Sequence, residues 1–168
     1  MIGAIERLYR CMLLAFGRGR VTFVDDSGPV QKLQVKFGAL EIIDNLPAPH
    51  DFGFTSNPPI GSDVFASFLG GNRTNGIAVT IGSQAYRMKN LASGEVAIYD
   101  NLGQSVHLTQ SGIVIQSAGL PITIHGDITL NGRLDATGDV TAAGVSLVNH
   151  LTTGVKAGAD QSGKPIPT

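Results

Sequence analysis

Residues 121–144 read Pro121-Ile-Thr-Ile-His-Gly126, Asp127-Ile-Thr-Leu-Asn-Gly132, Arg133-Leu-Asp-Ala-Thr-Gly138, Asp139-Val-Thr-Ala-Ala-Gly144. Each six-residue block carries apolar side chains at positions two and four and glycine at six. In an extended strand successive side chains point to opposite faces, so positions two and four share one side and one, three and five the other. The inner file is Ile122, Ile124, Ile128, Leu130, Leu134, Ala136, Val140 and Ala142, and the outer file is mostly Thr, Asp, Asn and Arg133. Glycine at six turns the chain into the next block without steric cost. Repetition at a short fixed period is the mark of a β-solenoid.

One chain has too few blocks to close such a structure. A solitary three-sided coil uses roughly three hexads per turn, and solenoids need several stacked units to bury a core. Four blocks make little more than one coil. Three chains wound about one axis, each giving one wall per level, bury the same residues and leave no strand edge open. The pattern therefore predicts an intertwined triple-stranded β-helix, a homotrimer, with the eight inner residues as its core. The inner side chains also shrink along the chain, from Ile122 and Ile124 to Val140 and Ala142. A prism that narrows in this way ends in a pointed tip.

Outward from the hexads toward the N-terminus, the alternation of Val96/Ile98, Val106/Leu108 and Ile113/Ile115 extends the β-helix back to residue 95. The texture of 18–88 is different. Val21, Phe23 and then Leu33, Val35, Phe37 alternate with polar neighbours about the turn Asp25-Asp26-Ser27-Gly28-Pro29. A second strand pair is expected at 63–69 and 77–81, joined by the turn-forming run Gly70–Gly76. Residues 44–61 hold Pro47, Pro49, Pro58 and Pro59 and read as a long ordered loop. Several short strands in about 70 residues suggest a small closed barrel of the OB type. At the start, Ile2, Ile5, Leu8, Tyr9, Met12 and Phe16 fall at helical spacing opposite Glu6, Arg7 and Arg10, with Gly17 and Gly19 as terminators. Such a helix either packs on its own domain or docks a partner. The expected class is all-β, divided into a helix at 1–17, a barrel at 18–88, a neck at 89–94, a β-helix at 95–148 and a tip at 149–168.

Composition excludes several functions. Charged residues make up 15%, against roughly 25% in an average domain, and glycine is 22 of 168, against roughly 7%. A net charge of −1 gives no footprint for nucleic acid, apart from Arg7, Arg10, Arg18 and Arg20 near the start. Cys11 is the only cysteine, so no internal disulfide or thiolate cluster forms. No apolar run approaches the roughly 18 residues that span a bilayer. Residues 11–16 are apolar but short and lack a small-residue cleavage site, which argues against a signal peptide.

Several blocks in order resemble the baseplate assembly protein V family of Mu-like phages, whose members form a central, membrane-piercing tail spike. They are Gly19-Arg-Val, Leu46-Pro-Ala-Pro-His-Asp-Phe-Gly-Phe-Thr-Ser-Asn-Pro-Pro59, Gly70-Gly-Asn-Arg73 and Gly94-Glu-Val-Ala-Ile-Tyr-Asp100. Gly112-Ile-Val-Ile115, Ile122-Thr-Ile-His-Gly126 and Gly144-Val-Ser-Leu147 follow. The resemblance covers nearly the whole chain. It implies a trimer made in the host cytoplasm and built into the virion baseplate, with Ile5, Leu8, Tyr9, Met12 and Phe16 docking the tail hub. It also implies puncture of the host outer membrane on sheath contraction. Similar proteins carry His-x-His near the tip, where three copies hold an axial iron. Here the matching residues are His150 and Thr152, and a threonine is a poor ligand for a transition metal. Three His150 side chains either converge on iron or another transition metal, with water completing the shell, or point outward or stack without one.

Enzymatic readings find little support. His107 and His125 are expected to face solvent, and His50 lies beside Asp51 with no Ser or Cys nucleophile motif. A hexapeptide-repeat acyltransferase needs many more hexads than four. The alternative from another class is an OB-fold protein binding oligonucleotide or saccharide through the first half, with the β-solenoid as an oligomerisation tail. Oligonucleotide binding requires a basic groove with stacking aromatics, whereas Phe23, Phe37, Phe52, Phe54, Phe65, Phe68 and Tyr86 read mostly as core or loop residues.

Overall fold

Period-two alternation in the first half builds one curled antiparallel sheet. In the computed structural model, which describes residues 2–149, helix α1 (Ile2–Leu14) leads into strands β1 (Phe16–Asp25), β2 (Gln31–Lys36), β3 (Ile42–Ala48), β4 (Asp63–Phe68) and β5 (Gly76–Gly82). Their order is β3-β2-β1-β4-β5. The inward residues Val21, Leu33, Val35, Leu46, Ala48, Val64, Ala66, Phe68 and Ala78 form the buried core. The two edges curl toward each other: Gly76 on β5 has no room for a Cβ, which would lie 2.8 Å from Leu46 Cδ1 on β3.

Three differences from the sequence expectation have local causes. First, the ladder between β1 and β2 slips between Val21 and Phe23. Such a bulge reverses the side-chain alternation, so Phe23 points outward and Val24 packs on the core instead. Second, the expected loop at 44–61 begins as a strand, since β3 runs to Ala48. Its Pro47 sits opposite Lys32, and a proline without an N–H is tolerated there because β3 is an edge strand. Asn45, with φ 55, takes up the second bulge, between β2 and β3. Third, the helix stops at Leu14 and Phe16 opens β1, so Phe16 is not part of the helical stripe.

The rest of the loop is pinned from below. Buried Gln31 donates from Nε2 to Ser56 O at 2.9 Å and to Asp26 Oδ1 at 2.7 Å. Buried Ser62 donates from Oγ to Pro59 O at 2.6 Å. Beyond the sheet, β6 (Val96–Tyr99), β7 (Ser105–Thr109) and β8 (Gly112–Gln116) form an antiparallel meander. By its contacts the chain divides into two units, one ending at Ile122 and one beginning at Thr123. In the second, the hexads from 123 to 140 form no ladder, and β9 (Thr141–Ala142) pairs with β10 (Val145–Ser146). Ala143 and Gly144 between them both have positive φ, as a two-residue hairpin requires.

Candidate functional site

The helix is attached to the sheet by a narrow contact. Gly71 lies against Cys11 so closely that a Cβ there would sit 2.6 Å from the Cys11 carbonyl oxygen. Phe68 N–H donates to Ala15 O at 2.7 Å. This anchoring uses the Cys11 side of α1 and leaves Ile5, Leu8, Tyr9 and Met12 each more than 60% exposed. These four share one side of the helix at the spacing i, i+3, i+4, i+7. Phe16, expected with them, instead stacks on Phe65 of β4, ring centroids 5.6 Å apart, on the outer face of the sheet.

Arg73, the last residue of the Gly-Gly-Asn-Arg motif, has a structural task that the sequence did not disclose. Its Nε and Nη2 donate to Glu41 Oε1 and Oε2 at 2.7 and 2.9 Å. Its guanidinium lies 3.8 Å from the Phe68 ring centroid and 4.8 Å from that of Phe37. The clamp ties the segment before β3 to the segment before β5, where the sheet edges approach. It also packs over β1: a Cβ on Gly17 would lie 3.1 Å from Arg73 Nη1.

The meander carries two unlike faces. In register, Val96 lies beside Leu108 and Leu108 beside Ile113, while Ile98 lies beside Val106 and Val106 beside Ile115. These six apolar residues form one face, and all are exposed. The other face holds His107, which is half-buried and not solvent-facing as expected. Its Nε2 lies 3.3 Å from Glu95 Oε2. The contact is an ion pair when the imidazole is protonated. Glu95 itself accepts from the Ala92 and Gln110 N–H groups at 2.9 and 3.2 Å. Those backbone donors, more than His107, hold its carboxyl below the usual range.

All eight residues of the expected trimer core are exposed in the single chain: Ile122, Ile124, Ile128, Leu130, Leu134, Ala136, Val140 and Ala142. Gly126, Gly132 and Gly144 have positive φ, so three of the four hexads use the freedom of glycine at position six. On the outer file Arg133 pairs with Asp135. His50 and His125 are exposed, whereas His150 and Thr152 lie outside the described residues. Among the described residues no three His, Cys, Asp or Glu side chains converge. What the described surfaces offer is apolar area for association.

A family model and two relatives agree on one family. Residues 18–85 match the family model described as Bacteriophage Mu Gp45, N-terminal. The chain is 28% identical to Mu-like prophage FluMu protein gp45 of Haemophilus influenzae over 177 aligned positions, covering 97% of the chain and 96% of the relative. It is 30% identical to the baseplate puncturing device gp45 of Escherichia phage Mu over 135 positions, covering 79% and 68%.

Proposed function

The chain belongs to the bacteriophage Mu gp45 family, and from that premise we propose that it is the central spike of a contractile-tail baseplate. In this reading it is a structural component of the virion and not an enzyme. Three copies form one spike, docked to the tail hub through α1 and driven tip-first through the host outer membrane when the sheath contracts. The name of the phage Mu relative, a baseplate puncturing device, supports the placement. An OB-type barrel at the wide end is supported by the strand order β3-β2-β1-β4-β5 with approaching edges.

One observation carries the trimer. Two apolar surfaces, the meander face and the hexad file, are exposed in the single chain. Bringing a half-exposed Val, Leu or Ile to full burial is worth about 1–2 kcal/mol each, and twelve such residues are left open. Three chains about one axis cover both surfaces without new sequence. The closed ladders and inner stack then transmit force along the axis without buckling.

The test is the native mass of the full chain by light scattering, repeated after removal of residues 1–94. A mass near three times 17.5 kDa, and a threefold mass kept by the fragment, is expected. A monomer in both preparations overturns the spike.

A further inference from the structure

We propose that the barrels of neighbouring copies lock head to tail, the acidic β1–β2 hairpin tip of one copy seated in a cationic cleft of the next. The inference rests on the trimer proposed above and adds a second, electrostatic interface to it. The cleft, about 660 Å³, is lined by Val21, Thr22, Phe37 and Ile60 among others. Arg18, Arg20 and Lys36 rim it, with Asp63 as the one carboxylate. Asp63 is already shared, 3.6 Å from Arg18 and 3.4 Å from Arg20. Arg20 also donates to Gly61 O at 2.8 Å, and Lys36 has no ion-pair partner among the described residues. Two positive charges are left uncompensated around an apolar floor.

The complementary surface lies on the same chain. The tip, residues 25–30, carries Asp25, Asp26 and the exposed Val30, and no cation. Ser27 holds Asp25, donating from N and Oγ at 3.1 and 2.6 Å. Gln31 Nε2 holds Asp26 at 2.7 Å. Lys32, beside Asp25 in the ladder, is the nearest cation in the register, and it leaves the exposed Asp26 uncompensated. Charge and apolar character therefore match between tip and cleft. Within one chain they cannot meet. Arg18 and Asp25 stand toward opposite ends of β1, about 23 Å apart at roughly 3.3 Å per residue. A cyclic trimer is built from heterologous contacts, in which two different patches of one surface join copy to copy until the ring closes. Tip and cleft supply such a pair.

The experiment uses the full chain with Cys11→Ala, carrying Asp26→Cys and Lys36→Cys together, oxidised mildly with native mass measured in parallel. A covalent ladder up to three chains is expected, absent when either cysteine is introduced alone. A second measurement needs no new bond. Arg20→Asp is expected to speed amide hydrogen exchange at Ser27, Gly28 and Val30 at least tenfold, and added Asp26→Arg to restore it. Arg20 is too far from the tip of its own chain to act there directly. A threefold mass with no link and unchanged tip exchange overturns this interface while leaving the trimer standing. So does loss of hub retention in Arg20→Asp with tip exchange unchanged, which assigns the cleft to the hub. A monomeric mass overturns both.

Discussion

Arg73 reaches across 32 residues of chain to Glu41, and its position decides its worth. The guanidinium lies over the rings of Phe68 and Phe37 and is mostly covered, while Glu41 is partly open to solvent. A charge-assisted bidentate pair contributes about 1.5–3 kcal/mol and a cation–π contact about 0.5–2, with overlap between them. Arg73→Ala is expected to cost about 2–3 kcal/mol, read as a lowered urea midpoint. Arg73→Lys should recover little, because an ammonium cannot reproduce the planar fork. Glu95 makes a prediction of a different kind. Its folded pKa is held down by the Ala92 and Gln110 N–H groups. Its contribution is therefore present above the unfolded carboxyl value near 4.5 and lost as pH falls through the lower, folded value. Amide exchange at Ala92 and Gln110 is expected to accelerate as pH is lowered from 5 to 3, beyond the intrinsic chemistry. Glu95→Gln should remove that pH dependence.

At the scale of the element, α1 is held to the sheet by Cys11 and Gly71 and leaves its apolar stripe free. Leu8→Asp with Met12→Asp is expected to abolish retention of the chain on co-expressed hub protein while leaving its native mass unchanged. Loss of the mass as well would mean that the stripe joins copies and not the hub. Alternation made most of the strands legible in advance: Val21, Leu33, Val35, Val64 and Phe68 are inward as their spacing demands. What alternation cannot register is a slipped count. The bulge after Val21 put Phe23 outside, and Pro47 with Asn45 disguised β3 as loop. Long-range pairs were equally hidden. Glu95 meets His107 only after β6 and β7 pair, and nothing near Arg73 in the sequence announces Glu41. The stripe on α1 was legible except for Phe16, which joins a strand because the helix ends at Leu14, two residues before its spacing suggested.

For the whole molecule, the decisive property is that, among the described residues, the most regular segment forms no ladder and leaves its apolar file exposed. Residues 123–140 have strand-like alternation and no ladder, as the proposed three-chain β-helix requires of one of its walls. The consequence is a sharp asymmetry between neighbouring positions. Leu130→Asp would place a carboxylate from each copy against the axis, where an unpaired buried ion costs several kcal/mol. Thr129→Asp, one residue earlier on the outer file, would add a solvated charge. The first is expected to collapse the threefold mass of the fragment lacking 1–94 and the second to leave it intact. Equal effects would mean that the two files are not inner and outer walls. The tip separates assembly from action in the same way. Removing residues 145–168 deletes none of the eight inner residues, so the trimer should persist. On the proposed spike reading this deletion removes the piercing end, and phage carrying the shortened chain should assemble complete tails yet fail to infect. Full infectivity would leave the trimer in place and refute puncture by this end of the chain.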